Sequence, residues 1–272
     1  MQTIVMTGGT SGLGEVTARQ LGSILDVQLI LGGRETALPL DLASLESVRR
    51  FAGQVLATLG QTPINSLVLN AGLSFPKTAR TVDGYETTFA TNHLGHYLLL
   101  RLLTQALAPD AIVVITTSNT HDPRFSPVAP FAQVDARHLA QLLPEPGVFE
   151  AGFRAYATSK LCNLLTARAF AANADGIRVI AYNPGFIPGT GLGRNLPTAA
   201  LPVANPEVAQ AMRARAGSVL ADLALGNMTP PPGQVYASLE QGELVWPSPS
   251  TLALRDEVAQ QLWHDSAALV GL

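Results

Sequence analysis

Tyr156-Ala-Thr-Ser-Lys160 places a phenol and an amine four residues apart in a stretch of helical pattern. Side chains at that spacing leave one helix face a single turn apart. Free tyrosine titrates near about 10 and free lysine near about 10.4. A cation held beside the phenol favours the phenolate, so the pair predicts a tyrosine pKa drawn toward neutrality. Such a group is a proton donor and acceptor usable near pH 7. Tyr-x-x-x-Lys alone arises often by chance, so its weight depends on the elements that position it.

Thr3–Thr7 reads as a β-branched, apolar strand. It runs into Gly8-Gly9-Thr10-Ser11-Gly12-Leu13-Gly14, and a helical pattern follows to about Leu25. Glycines at a strand-to-helix turn let backbone N–H groups approach a pyrophosphate at the helix N-terminus. The spacing differs from the common three-glycine fingerprint, and a plain tight turn is the bland alternative. Val27–Leu31 reads as the second strand, followed by Gly32-Gly33-Arg34. An acidic residue near this place would hold a ribose 2′-hydroxyl, whereas an arginine accommodates a 2′-phosphate. Arg34 therefore favours NADP(H) over NAD(H), against the alternative of a solvated surface arginine.

Only Glu35, Thr36 and Ala37 separate Arg34 from Leu38-Pro39-Leu40-Asp41-Leu42. A parallel crossover normally needs a dozen or more residues. The second crossover helix is therefore truncated or absent, or Leu38–Leu40 is a short, irregular strand; Pro39 disfavours a central one. Ser44 caps a helix to about Leu59, and Ile64–Leu69 is a buried strand ending in Asn70-Ala71-Gly72. Asp83 is the expected cap of a helix from about Gly84 to Ala106, which carries Asn92 at its middle. Asparagine is a poor helix former there. His93 and His96 have metal-ligand spacing without a third ligand, so packing is favoured and no metal is expected.

Ala111–Thr117 is another strand, ending at Ser118. The proline-rich connection 119–154, with a short helix over Asp135–Leu143, is expected to wall the substrate pocket. The helix bearing Tyr156 and Lys160 runs to about Ala174, with Cys162 as packing. Ile177–Tyr182 is a strand ending in Asn183-Pro184-Gly185, and Phe186–Pro202 reads as a mobile loop. Asn205-Pro206 starts a helix to about Leu225. A short helix over Gln234–Leu239, a strand at Leu244–Trp246 and a helix over Ala253–Val270 complete the chain.

The 272 residues carry a formal net charge of −3, with 14% charged residues. That length fits one α/β domain over 1–272. Mild acidity argues against nucleic acid as a partner. A lone cysteine excludes an internal disulfide and a cysteine metal cluster. The longest apolar run, near Tyr97–Leu103, is too short to span a bilayer and is broken by Arg101. The first residues already read as a strand, so no signal peptide and a cytoplasmic location are expected.

Taken together, Thr7-Gly8-x-x-x-Gly12-x-Gly14, Asn70-Ala71-Gly72, Asn92, Ser118, Tyr156-x-x-x-Lys160 and Asn183-Pro184-Gly185 resemble the short-chain dehydrogenase/reductase family in order and spacing over nearly the whole chain. Asn92-His93-Leu94-Gly95-His96, Ser159-Lys160-Leu161-Cys162-Asn163 and the ending Leu262-Trp263 to Leu272 are similar to its branch of retinol dehydrogenases and light-dependent protochlorophyllide reductases. The resemblance implies a single Rossmann-type, doubly wound parallel sheet of about seven strands with helices on both faces. It implies Tyr156 as general acid or base, Ser118 bonding the substrate oxygen, and Lys160 lowering the Tyr156 pKa and holding ribose hydroxyls. Asn92 would hold a relay water.

For the cofactor, it implies Gly8, Thr10, Ser11, Gly12, Leu13 and Gly14 at the pyrophosphate, and Asp41 and Leu42 at the adenine. Asn70, Ala71 and Gly72 would lie at the adenosine ribose. Pro184, Gly185, Ile187 and Thr190 would border the nicotinamide. Gly189 stands where the family's threonine is usual, with Thr190 next. Phe186 stands where protochlorophyllide reductases typically carry cysteine. The expected activity is NADP(H)-dependent hydride transfer with a small hydrophobic carbonyl or alcohol, in a pocket shaped by 119–154 and 186–228. Reduction of a conjugated carbon–carbon double bond and a catalytically silent NADP(H)-binding protein are the alternatives. Family members often pair through the helices near Gly84 and Ala155, and members of the branch are also monomers, so a homodimer stays open.

Overall fold

The apolar runs Ile4–Met6, Leu67–Leu69 and Val113–Ile115 are almost wholly buried. Strands covered on both faces read this way. A computed structural model describes residues 1–74, 79–143, 148–188, 192 and 205–272. Among them, β1 (Gln2–Thr7), β2 (Val27–Gly33), β3 (Leu38–Pro39), β4 (Ile64–Leu69), β5 (Leu107–Thr116), β6 (Arg178–Asn183), β7 (Tyr236–Glu240) and β8 (Glu243–Val245) form one sheet in the order 3-2-1-4-5-6-7-8. β1 to β7 pair in parallel, and β8 returns antiparallel to β7.

Helices cover both faces, so the arrangement is doubly wound and Rossmann-type. On one face α1 (Gly12–Gly22) and α7 (Pro206–Leu225) close a core with Ile4, Met6, Leu21 and Leu220. On the other, α2 (Leu45–Leu59), α4 (Gly95–Leu103), α6 (Phe149–Ala171) and α8 (Asp256–Leu269) pack around Phe51, Leu98, Leu164 and Leu262. The short α3 (Thr87–Phe89) leads through a π-helical turn, Ala90–Leu94, into α4, and α5 (Ala136–Gln141) stands before α6.

The truncated crossover is a tight turn. The Gly33 N–H donates to Thr36 Oγ1 at 3.0 Å, and Leu40 N–H donates to Gly33 O at 2.9 Å. A connection this short supports only two paired residues, Gly32↔Leu38 and Gly33↔Pro39, at the sheet edge where proline is tolerated.

Two expectations are corrected. Gln234–Leu239 is not a helix: Tyr236–Glu240 is β7. Periodicity cannot assign so short an apolar run. The open edge of β6 decides it, since its polar backbone groups need partners; Ala181 N–H donates to Val235 O at 2.8 Å. Asp83 does not cap the helix that follows it. Glu86 does, its carboxylate accepting from Thr88 N–H at 2.8 Å and Phe89 N–H at 2.6 Å. Asp83 accepts instead from Leu45 N–H at 2.9 Å, at the start of α2. The helix expected over 84–106 is thus broken into α3, the π turn, α4 and a final 3₁₀ turn. The Ser44 and Asn205 caps form as the sequence indicates.

Candidate active site

The strand order reverses between β1 and β4, and open α/β sheets bind ligands at such a point, beyond the carboxyl ends of the strands. Gly8–Gly14 leaves β1 there and Asn70–Gly72 leaves β4. Close packing of the two turns explains the glycines. A Cβ on Gly14 would lie 2.0 Å from Gly8 O and 2.7 Å from Asn70 Nδ2. Gly8, at φ +72°, would put a Cβ 2.7 Å from Ala71 Cα. The Thr7 hydroxyl joins the turns by accepting from Asn70 N–H at 3.0 Å and Ala71 N–H at 3.1 Å. Asn70 Nδ2 donates to Gly8 O at 3.1 Å, and its Oδ1 accepts from Thr116 Oγ1 at 3.1 Å.

The loop fits a pyrophosphate. Ser11 stands at the N-cap of α1 without a side-chain cap bond, and Thr10 and Ser11 are exposed. First-turn N–H groups without a side-chain cap suit an anion. Arg34 is exposed where β2 ends. A Cβ on Gly33 would be 3.6 Å from Thr10 Cγ2, so this turn borders the glycine loop. Asp41 is exposed, and its Oδ1 accepts from Ala43 N–H at 2.9 Å. Leu42 is buried, backing onto Gly95, where a Cβ would lie 2.5 Å from Leu42 O. Of that pair Asp41 is the accessible one.

Tyr156 and Lys160 lie on α6 beside the ends of β4 and β5, 7% and 3% exposed. Lys160 Nζ donates to Thr116 O at 3.2 Å and lies 5.7 Å from the centre of the Tyr156 ring. Thr117 Oγ1 donates to Lys160 O at 2.6 Å, which fixes α6 to β5. Gly72 gives the ammonium room, since a Cβ there would be 3.3 Å from Nζ. Ser118, just past β5, lies beside the Tyr156 phenol, and its hydroxyl accepts from Thr120 N–H at 3.3 Å.

The expected depression of the Tyr156 pKa is not found. Burial pushes the phenol up to about 12, with the Ser118 hydroxyl pulling the other way. Burial also lowers Lys160 to about 8. Both groups are out of water, so each resists its charged form. The ammonium lies near the Thr116 carbonyl and the tyrosine ring. At neutral pH the site holds a protonated phenol beside a still largely protonated amine.

Asn92 lies in the π turn, a feature frequent at functional sites. It is fully buried. Its Oδ1 accepts from Leu73 N–H at 2.9 Å, and its Nδ2 donates to Leu73 O and Ser159 Oγ, both at 2.9 Å. It therefore braces the segment after Gly72 against α6. His96 and His93 go to different partners. His96 Nδ1 lies 3.1 Å from Asn92 O, which only accepts, so Nδ1 carries the hydrogen. Burial lowers His96 to about 4, so the ring is neutral and its Nε2 accepts from the Thr7 hydroxyl at 2.9 Å. His93 Nε2 lies 2.8 Å from Ser266 Oγ on α8. No group of three His, Cys, Asp or Glu placed to hold a metal occurs among the described residues. Cys162 is fully buried, and burial pushes its thiol up.

At the end of β6, Gly185 adopts φ +74° and its N–H donates to Asn183 Oδ1 at 3.1 Å. Pro184 is half-buried and Ile187 buried. Thr190 lies outside the described residues, as does most of the loop expected over Phe186–Pro202. The sequence offers Thr7 only as part of the glycine motif and His96 only as packing, and it marks neither His121 nor Tyr236. His96 four residues past Asn92 and His121 three past Ser118 were local signals; Tyr236, on β7, gave none. No described helix is long and apolar enough to cross a membrane.

No protein-family model matches the chain. It is 34% identical over 231 residues to chloroplastic protochlorophyllide reductase of Pisum sativum, a match taking in 70% of this chain and 57% of that protein. The chain thus spans little more than half the length of that relative. It is 29% identical over 297 residues to retinol dehydrogenase 12 of Homo sapiens, covering 100% of this chain and 87% of that one. Among solved structures, an uncharacterised protein from Mycobacterium paratuberculosis superposes with a TM-score of 0.73 at 27% identity, covering 100% of this chain and 94% of that one.

Proposed function

The chain belongs to the short-chain dehydrogenase/reductase family, as its relatives include a short-chain dehydrogenase of Brassica napus, 31% identical over 216 residues, and from that premise we propose that it is an NADP(H)-dependent oxidoreductase acting on a hydrophobic carbonyl or alcohol. The observation that carries the reading is the buried Tyr156 phenol, with Ser118 beside it and the Lys160 ammonium near its ring. A binding protein needs no buried phenol, hydroxyl and amine gathered at one point.

When bound, the nicotinamide supplies or takes up the hydride. Gly8–Gly14 and the first turn of α1 hold the pyrophosphate, Arg34 the 2′-phosphate, and Asn70–Gly72 the adenosine ribose side. Lys160, beside Gly72, takes the nicotinamide ribose, and Pro184, Gly185 and Ile187 border the ring. Ser118 fixes the substrate oxygen. Tyr156 keeps its proton until charge develops on that oxygen, then gives it up, because an alkoxide is a stronger base than a phenolate. Lys160 and a water held at Asn92 return the proton. Tyr156→Phe is expected to lower carbonyl-dependent NADPH oxidation by about 10²–10⁴-fold with cofactor affinity retained; full activity would reject the assigned acid.

The 34% identity to the pea protochlorophyllide reductase favours a second reading, reduction of a conjugated carbon–carbon double bond. Turnover of such a pigment that requires light would select it. Phe186 in place of the cysteine typical of those enzymes speaks for the carbonyl reading.

A further inference from the structure

We infer that His121 is a positioning residue: its Nδ1–H grips the main-chain carbonyl of Ser118 and so aims the serine hydroxyl at Tyr156. The inference rests on Ser118 and Tyr156 as the proton-handling pair. His121 is 2% exposed, in the 3₁₀ turn Asn119–His121 directly after Ser118. Its Nδ1 lies 2.7 Å from Ser118 O. A carbonyl only accepts, so Nδ1 bears the hydrogen. Its other nitrogen, Nε2, lies 3.3 Å from the Ser250 backbone nitrogen, which only donates. Nε2 is therefore a lone pair, and the ring is held neutral in one tautomer. Burial, which pushes its pKa below the usual range, agrees.

The same ring meets Tyr236 of β7 edge-on, centroids 5.0 Å apart at 75°. Ser238 and Asn183 lie beside the Tyr236 hydroxyl. Asn183 in turn donates to Ser238 Oγ at 2.9 Å and accepts from Gly185 N–H at 3.1 Å. His121 thus sits between Ser118 and β7, the strand that pairs with β6. The Ser118 carbonyl also accepts from the His121 backbone N–H at 3.2 Å, and the Ser118 hydroxyl accepts from Thr120 N–H at 3.3 Å, so the shorter Nδ1–H bond adds a side-chain grip to a turn that its backbone already shapes.

Asparagine places an amide nitrogen where histidine has Nδ1, whereas glutamine reaches only the Nε2 position. The ¹³Cζ resonance of Tyr156 at neutral pH reports the Ser118 hydroxyl beside it without any substrate. Ser118→Ala is expected to move it, His121→Gln to move it the same way, and His121→Asn to leave it near wild type. With NADPH and benzaldehyde as probe, His121→Gln should lower kcat by about tenfold or more, His121→Asn by less than about threefold, with KM for NADPH unchanged in both. Adding His121→Gln to Ser118→Ala should cost nothing further. An unmoved Tyr156 resonance in His121→Gln, or equal movement in both variants, overturns the inference. So does a wild-type ¹⁵N spectrum showing His121 protonated at Nε2, which needs no variant to fold. If wild type reduces no carbonyl, the proposed function fails while the resonance still decides the role of His121.

Discussion

Lys160→Met replaces a buried ammonium by an unbranched apolar side chain of similar length. Lys160 is 3% exposed, and burial lowers its pKa from 10.5 to about 8. The folded value lies below the unfolded one, so between about pH 8 and 10.5 the unfolded chain holds a proton that the folded chain lacks. Stability therefore rises with pH through that window, and the penalty is complete below about pH 8. The interval 10.5 minus about 8 corresponds to about 3 kcal/mol, at roughly 1.4 kcal/mol for each tenfold change. The bond from Nζ to Thr116 O opposes it by about 1.5–3 kcal/mol. The variant should therefore lie within about 2 kcal/mol of wild type near neutral pH, although it loses a charged hydrogen bond. Wild type should gain about 1 kcal/mol between roughly pH 7 and pH 9, and the variant should not. Urea unfolding followed by fluorescence of Trp246 and Trp263 at both pH values measures the difference, which cancels every other titrating group. Equal pH slopes for the two proteins would refute the burial argument. Loss of turnover in a variant of undiminished stability would show that the lysine is kept for the reaction.

Arg34→Ala should weaken NADPH by about 1.5–3 kcal/mol, as expected for lost charge-assisted bonds, and NADH far less, in a fluorescence titration; equal losses would return Arg34 to the surface. Gly14→Ala puts a Cβ 2.0 Å from Gly8 O, a clash with backbone that cannot turn aside. It should cost about 3 kcal/mol or more in thermal unfolding, before any cofactor is considered. Thr7→Val removes the acceptor of Asn70 and Ala71 N–H and the partner of His96 Nε2. About 2–4 kcal/mol should be lost in urea unfolding, since buried donors are left unmade.

The glycine turn, the buried strands, the Ser44 and Asn205 caps and the order of Ser118, Tyr156 and Lys160 are legible in sequence because each depends on neighbours a few residues away. The short stretch after Arg34 likewise announces a missing helix, since chain length limits what a connection can span. Three things needed the folded chain. Tyr236–Glu240 becomes a strand only because β6 offers an unpaired edge, and no local period records that. Asn92 braces Leu73 and Ser159, residues brought to it by α6 and the end of β4. The Tyr156 phenol rises rather than falls because burial of both groups outweighs the attraction that their spacing suggests. Spacing along a helix determines which side chains can meet. How much water is left around them, and hence where their protons sit, is decided by everything packed on top.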